Sequence, residues 1–218
     1  MAADRKGESW AILAASEMGK GVWLKARWPR PRPSRPVIWD TNDEYDRAAR
    51  AVGSLAELVR AIAAPAFAVR YVPRARKDAD LRREFEAWCT IVYHAAGSTI
   101  VVEELADVTS PSFAPPAWRK LNTRGRHHQG LVLYWCSQSP AFIDKASLGN
   151  ATHMHVGYLG EPRHRQAAAA HMGCRPEDID ALQQGEWIEY VKATKERTQG
   201  RVSIPGVATK PRARRERP

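Results

Sequence analysis

The sequence predicts an α/β domain built on a largely parallel sheet, and three observations carry that prediction. Short apolar runs alternate with amphipathic stretches along most of the chain, the pattern of strand–helix units. A glycine–lysine loop, Ala14-Ala15-Ser16-Glu17-Met18-Gly19-Lys20-Gly21, directly follows the first apolar run. A later apolar run, Thr99-Ile-Val-Val, ends on two carboxylates, Glu103 and Glu104.

Taken in order, Trp10–Ala14 reads as a short buried strand running into a turn, and Pro36–Asp40 as a second strand with an acidic end. Ser54 and Glu57 form a capping-box signature, in which the serine hydroxyl and the glutamate each satisfy free backbone donors. Leu55, Leu58, Val59 and Ile62 then fall on one helical face. Phe67–Val72 is a third strand, stopped by Pro73. Leu81, Phe85, Trp88 and Val92 mark a helix, with Gly97 as its stop. Ser98–Val102, Gly130–Cys136, His153–Leu159 and Trp187–Val191 read as further strands. A helix with Pro176 near its first turn lies before the last of them. Residues 1–191 are expected to form the domain, and residues 192–218 a basic, flexible tail.

At 218 residues, 44% hydrophobic and 27% charged, the chain suits one globular domain rather than a disordered segment. No apolar run reaches the roughly 20 residues of a membrane span, and the first ten residues lack the apolar stretch of a signal peptide. Cys89, Cys136 and Cys174 stand at no metal or disulfide spacing, which predicts free thiols in a soluble cytosolic protein. The net charge of +10 is concentrated: residues 192–218 hold nine basic and two acidic side chains. A proline-rich run, Lys25–Arg35, adds five more positive charges. Both segments suit phosphate contact through counterion release, or a solvated solubilising role.

The loop at Ala14–Gly21, with Val22 after it, has the context of a phosphate-binding loop between a strand and a helix. Its amides and the helix N-terminus would surround phosphates, and Lys20 would neutralise the β and γ oxygens. Against the pattern G-x-x-x-x-G-K-[ST], Ala14 replaces the first glycine and Gly21 replaces the hydroxyl residue that holds magnesium. In such a site Glu103 would support the magnesium shell and Glu104 would polarise the attacking water. Downstream, Gln138 at a strand tip would sense the γ-phosphate. Arg124 and Arg126, just before that strand, would reach a neighbouring subunit's phosphates.

These segments together resemble the HerA/FtsK superfamily of DNA-translocating ATPases, and within it the compact genome-packaging ATPases of viruses and phages. The resemblance runs from Trp10 to Val191. It rests on the Ala14–Gly21 loop, Val37-Ile-Trp-Asp40 with Glu44-Tyr45, and Val101-Val-Glu-Glu104. Gly125-Arg126-His127-His128 through Ser137-Gln138-Ser-Pro140 and Gly185-Glu-Trp-Ile-Glu-Tyr190 complete it. The resemblance implies a single RecA-like core with central strand order 5-1-4-3-2 and a ring oligomer, a hexamer favoured. It implies ATP with Mg2+ between subunits and double-stranded DNA in the channel. A capsid or portal vertex would be a further partner, and the host cytoplasm or the virion the location. Arg27, Arg30, Arg32 and Arg35 in the proline-rich run, and Arg212, Arg214 and Arg215 in the tail, would contact DNA phosphates.

The departures at Gly21 and Glu103 both touch magnesium, so the alternative is a nucleotide-binding DNA scaffold or regulator with little or no hydrolysis. A small-molecule kinase rests only on Gly19-Lys20-Gly21. His153 and His155, with His164, His171 and Cys174, lack a compelling zinc spacing. Trp10, Trp39, Trp88, Trp135 and Trp187 are expected in the core, whereas Trp23 and Trp28 stand beside the basic run, where base stacking is open to them.

Overall fold

The protein is described here by a computed structural model covering residues 7–27, 35–75 and 77–206. In chain order its elements begin with β1 (Ser9–Leu13), α1 (Lys20–Arg27), β2 (Pro36–Trp39), β3 (Arg50–Val52) and α2 (Leu55–Ile62). Next come β4 (Val69–Tyr71), α3 (Asp78–Val92), β5 (Thr99–Val102), α4 (Pro116–Lys120) and α5 (Arg126–His128). The chain continues through β6 (Val132–Ser137), α6 (Lys145–Asn150), β7 (His153–Gly157) and α7 (Pro162–Met172). It closes with α8 (Pro176–Asp180), β8 (Glu186–Val191) and β9 (Glu196–Arg201).

Among the described residues, nine strands join one sheet in the order β3-β4-β2-β5-β6-β1-β7-β8-β9. Pairings from β3 through β7 are parallel, and β8 and β9 add antiparallel at one edge. The five strands β7, β1, β6, β5 and β2, counted by their own chain order, read 5-1-4-3-2. The full sheet is longer than that core, with β4 and β3 added on one side and β8 and β9 on the other.

The near-continuous apolar strands follow from burial on both faces. In β1, Ala11 and Leu13 enter the larger core while Trp10 and Ile12 enter the smaller one. Val37 and Trp39 part from Ile38 in the same way, as do Ile100 and Val102 from Val101, and Leu133 and Trp135 from Tyr134 and Cys136. The larger core takes side chains from α2, α3, α4, α6, α7 and α8; α1 contributes Trp23 and Leu24 to the smaller. Phe85 and Trp88 of α3 pack edge-on against Trp39 at centroid distances of 5.0 and 5.6 Å. The α2 cap forms as expected, with Ser54 Oγ accepting from the Glu57 amide at 3.1 Å. Glu57 in turn accepts from the Gly53 amide, one residue before the cap.

Two expectations need correction. Trp187, on β8 one strand in from the edge, is only half-buried and packs against the margin of the smaller core. The ordered chain continues past residue 191: Glu196–Arg201 pairs with β8 along its length, and Val202 donates to the Gly185 carbonyl. β9 carries charged and polar side chains, almost all exposed, so it lacks the apolar signature of an inner strand and has the charge typical of an edge. Short β3 at the opposite edge was equally silent in the sequence. Residues 207–218, which hold Arg212, Arg214 and Arg215, lie outside the described residues, as do Arg30 and Arg32. Among the described residues no helix is long and apolar enough to cross a membrane.

Candidate nucleotide-binding site

Parallel strands present their C-terminal ends along one edge of the sheet, where ligands of such folds bind. β1, β5 and β6 are adjacent and in register there, with Leu13 beside Ser137 and Val102 beside Trp135. The glycine–lysine loop leaves β1, the carboxylates leave β5, and Ser137-Gln138 leaves β6, so the segments converge although they are far apart in sequence.

The loop is anchored at its start: the Ala14 amide donates to Ser137 O and the Ala15 amide to Tyr158 O. Ala14 keeps an ordinary negative φ, so the missing glycine costs the loop nothing. Positive φ falls instead on Gly19 (95°) and, unannounced by the sequence, on Glu17 (61°). Ser16 and Met18 lie between these anchors and turns. The first α1 amide with a carbonyl partner is that of Trp23, which bonds Gly19 O. The amides of Lys20, Gly21 and Val22 therefore remain available at the helix N-terminus, the arrangement that binds phosphate. Gly19 has no room for a side chain, since a Cβ there would stand 2.7 Å from Val202 Cγ2 and 3.2 Å from Ile204 Cδ1. Gly21 is the opposite case, with nothing within 4 Å of such an atom.

Lys20 Nζ, mostly buried, lies 4.0 Å from Glu103 Oε1 and 3.7 Å from Glu104 Oε2. Burial alone would lower the Lys20 ammonium, but the negative charge around it, from Cys136 when ionised and from Glu103, Glu104 and Glu44, holds it above the ordinary lysine value. Burial pushes the Glu103 carboxyl up, against the opposing pull of Lys20 and the Tyr45 hydroxyl. Asp107 is pushed up to about 6, by burial first and then by Glu104. A buried carboxylate whose charge is incompletely compensated, beside further carboxylates, is a fitting place for a hard divalent cation. The open space at Gly21 leaves room for water where the usual hydroxyl would stand. Magnesium thus fits these residues, with Glu103 as the side chain to support its shell.

Glu103 is set by a relay from β2. The buried Asp40 carboxylate accepts from the amides of Glu44 (2.9 Å) and Tyr45 (3.1 Å) and pairs with Arg70 of β4. Arg70 also pairs with Asp43. The turn so fixed aims the Tyr45 hydroxyl at Glu103 Oε2, 2.6 Å away. Glu104 has a left-handed backbone (φ 47°) and accepts from Ser137 Oγ at 2.6 Å and from the Gln138 amide at 3.2 Å to each oxygen. The Gln138 side chain is exposed at the same tip. Asp40, Tyr45 and Ser137 were legible only as parts of motifs; their roles depend on contacts across the sheet.

Arg124 and Arg126 do not join this cluster. They precede β6, so the length of that strand, about 20 Å, separates them from its tip. Arg124 is exposed, and Arg126 lies beside His127 at 3.1 Å. Arg27, at the far end of α1, stacks over Trp10 and Trp23. Trp23 is buried and stacked on His155, so it is not a free base platform. Arg35, expected to meet DNA, donates to the carbonyls of Ala96 and Ile62 and covers the Phe67 ring, which is a structural use of its guanidinium.

No family model matches the sequence. Protein P9 of Pseudoalteromonas phage PM2 is 27% identical over 176 residues, 79% of this chain and 78% of that protein. The genome packaging NTPase B204 of Sulfolobus turreted icosahedral virus 2, solved with AMPPCP, superposes with a TM-score of 0.71 at 17% identity. That match covers 91% of this chain and 99% of B204. This chain has the fold of the viral packaging NTPases. VirB4 of Thermoanaerobacter pseudethanolicus shares it, with a TM-score of 0.69 at 12% identity over 91% of this chain and 90% of VirB4. B204 has also been solved with AMP and with ATP-gammaS. The mostly parallel α/β architecture expected from the sequence is thus shared with these structures.

Proposed function

We propose that this protein is an ATP-driven translocase of double-stranded DNA that packages a viral genome. The observation that carries the reading is the convergence of Lys20, Glu103, Glu104 and Gln138 at the ends of three adjacent parallel strands. The phosphates of ATP lie against the amides of Lys20, Gly21 and Val22, with the Lys20 ammonium on the β and γ oxygens. Bound magnesium supplies charge neutralisation of those oxygens, and Glu103, oriented by Tyr45, supports its water shell. Glu104 accepts a proton-bearing edge of the attacking water, and Gln138 senses the γ-phosphate.

Arg124 and Arg126 sit at the opposite end of their own sheet, so they serve a neighbour's nucleotide in a ring of copies, a hexamer favoured. Arg27, Arg30 and Arg32 and the basic run after residue 206 contact DNA phosphates, and a capsid vertex anchors the ring. The protein would then work in the host cytoplasm or on the virion. Lys20→Ala should abolish ATP binding, and Glu104→Gln should keep binding but stop turnover. Absence of DNA-stimulated turnover in the wild type, with ATP bound, would instead mark a nucleotide-binding scaffold, the reading that Gly21 favours.

A further inference from the structure

We propose that Ser137 is a positioning residue that holds the Glu104 carboxylate on the tip of β6 until nucleotide arrives. This rests on the reading of Glu104 as the group that polarises water. Ser137 is fully buried at the end of β6, and its single hydroxyl hydrogen is committed to Glu104 Oε1 at 2.6 Å. Its oxygen meanwhile accepts from the Ser139 amide at 2.9 Å, which fixes the rotor with its hydrogen toward the carboxylate. A hydroxyl–carboxylate bond of this length is charge-assisted and strong.

The rest of the carboxylate is also engaged. The Gln138 amide reaches both oxygens at 3.2 Å, and Lys20 stands 3.7 Å from Oε2. Among the described residues, the donors to the Glu104 carboxylate therefore belong to the tip of β6 and to Lys20. The backbone of Glu104 sits at φ 47° and ψ 67°, a left-handed conformation that side-chain-bearing residues seldom adopt. Three polar partners fix the carboxylate of this residue, so the loss of a partner frees the side chain from the tip of β6.

The groups that hold Glu104 are those the γ-phosphate would draw on. Lys20 turns to the phosphate, and Gln138 carries the holding amide and the exposed sensing side chain on one residue. Phosphate contact at Gln138 thus pulls the amide from Glu104 and leaves only Ser137 to restrain it. Ser137 sets the threshold for release, so that water is polarised only when the γ-phosphate is in place.

The test uses the full chain with Ser137→Ala and Ser137→Thr, magnesium and ATP, with and without linear double-stranded DNA. Ser137→Ala should raise DNA-free kcat by about tenfold, with KM unchanged and stimulation by DNA reduced; about tenfold corresponds to the lower end of the net contribution of a hydrogen bond to a charged group. Ser137→Thr, which keeps the hydroxyl, should restore the wild-type ratio. In parallel, the Gln138 amide proton resonance should move when magnesium and AMPPCP are added to the wild type. In Ser137→Ala it should already lie toward the nucleotide-bound position before addition. A fall in kcat, or no change, in Ser137→Ala would overturn the proposal. So would a Gln138 resonance that ignores saturating AMPPCP. If the wild type binds AMPPCP but does not turn ATP over, the translocase reading fails separately, and the resonance alone decides whether Ser137 holds Glu104.

Discussion

The Tyr45 hydroxyl donates a 2.6 Å hydrogen bond to Glu103 Oε2 across 58 residues of sequence. It leaves Oε1 facing Lys20, so the carboxylate has one oxygen fixed and one turned toward the lysine that opens α1. Tyr45→Phe removes that donor while keeping the ring. The expected outcome is a rise in the magnesium concentration needed for half-maximal nucleotide binding, by about tenfold, with little change in fold stability. Orienting partners of a metal-holding side chain have effects of this size. Titration of nucleotide binding against magnesium reads it.

Gly19 and Gly21 make opposite predictions. Gly19→Ala places a Cβ 2.7 Å from Val202 at φ 95°, so it should weaken nucleotide binding by about tenfold or more, the equivalent of roughly 1–3 kcal/mol of local strain. At Gly21 an added Cβ meets nothing within 4 Å, so Gly21→Ser returns the hydroxyl of the usual pattern without a clash at Cβ. It should be tolerated and should lower the magnesium requirement. Calorimetric titration of both variants with ATP distinguishes them.

Arg70 supports the turn that presents Tyr45. Arg70→Met leaves the buried Asp40 carboxylate without its ion pair, though with two backbone donors. The expected loss is about 2–4 kcal/mol in urea unfolding. Wild-type stability in this variant would show that the two amides suffice.

His155 predicts a pH effect. Burial is the main cause that lowers its imidazole below the usual value, while Glu189 pulls the other way. A folded-state pKa below the unfolded one means that the unfolded chain binds the extra proton first. Stability is therefore full above about pH 6.5 and falls as pH drops below it. Glu189, held low, adds its own loss at more acidic pH. Between pH 6.5 and 5 the wild type should lose thermal stability, and His155→Gln should lose less. Melting temperatures across that range check the slope.

Much of the fold could be read in advance because strands buried on both faces spell themselves as apolar runs. Val37-Ile-Trp39 and Ile100-Val-Val102 are such runs, and each splits between the two cores residue by residue. The edge strands could not be read so, since β9 buries almost nothing and is specified by pairing with β8. The site was legible where chemistry is local, as at Lys20 and Glu103–Glu104. It was silent where partners meet across the sheet: Asp40 with Arg70, Tyr45 with Glu103, Ser137 with Glu104. The bonds of Arg35 to the carbonyls of Ala96 and Ile62 were likewise invisible in a basic run, where charge alone says nothing of such partners.

We propose that Glu104, just beyond β5, and Lys20, at the start of α1, form one ATP-hydrolysing site driven by DNA. The most direct test is steady-state ATP turnover of wild type and Glu104→Gln, with and without linear double-stranded DNA, alongside nucleotide binding. DNA should stimulate turnover in the wild type, and Glu104→Gln should bind ATP unchanged with turnover abolished. Equal turnover in the two proteins would contradict it.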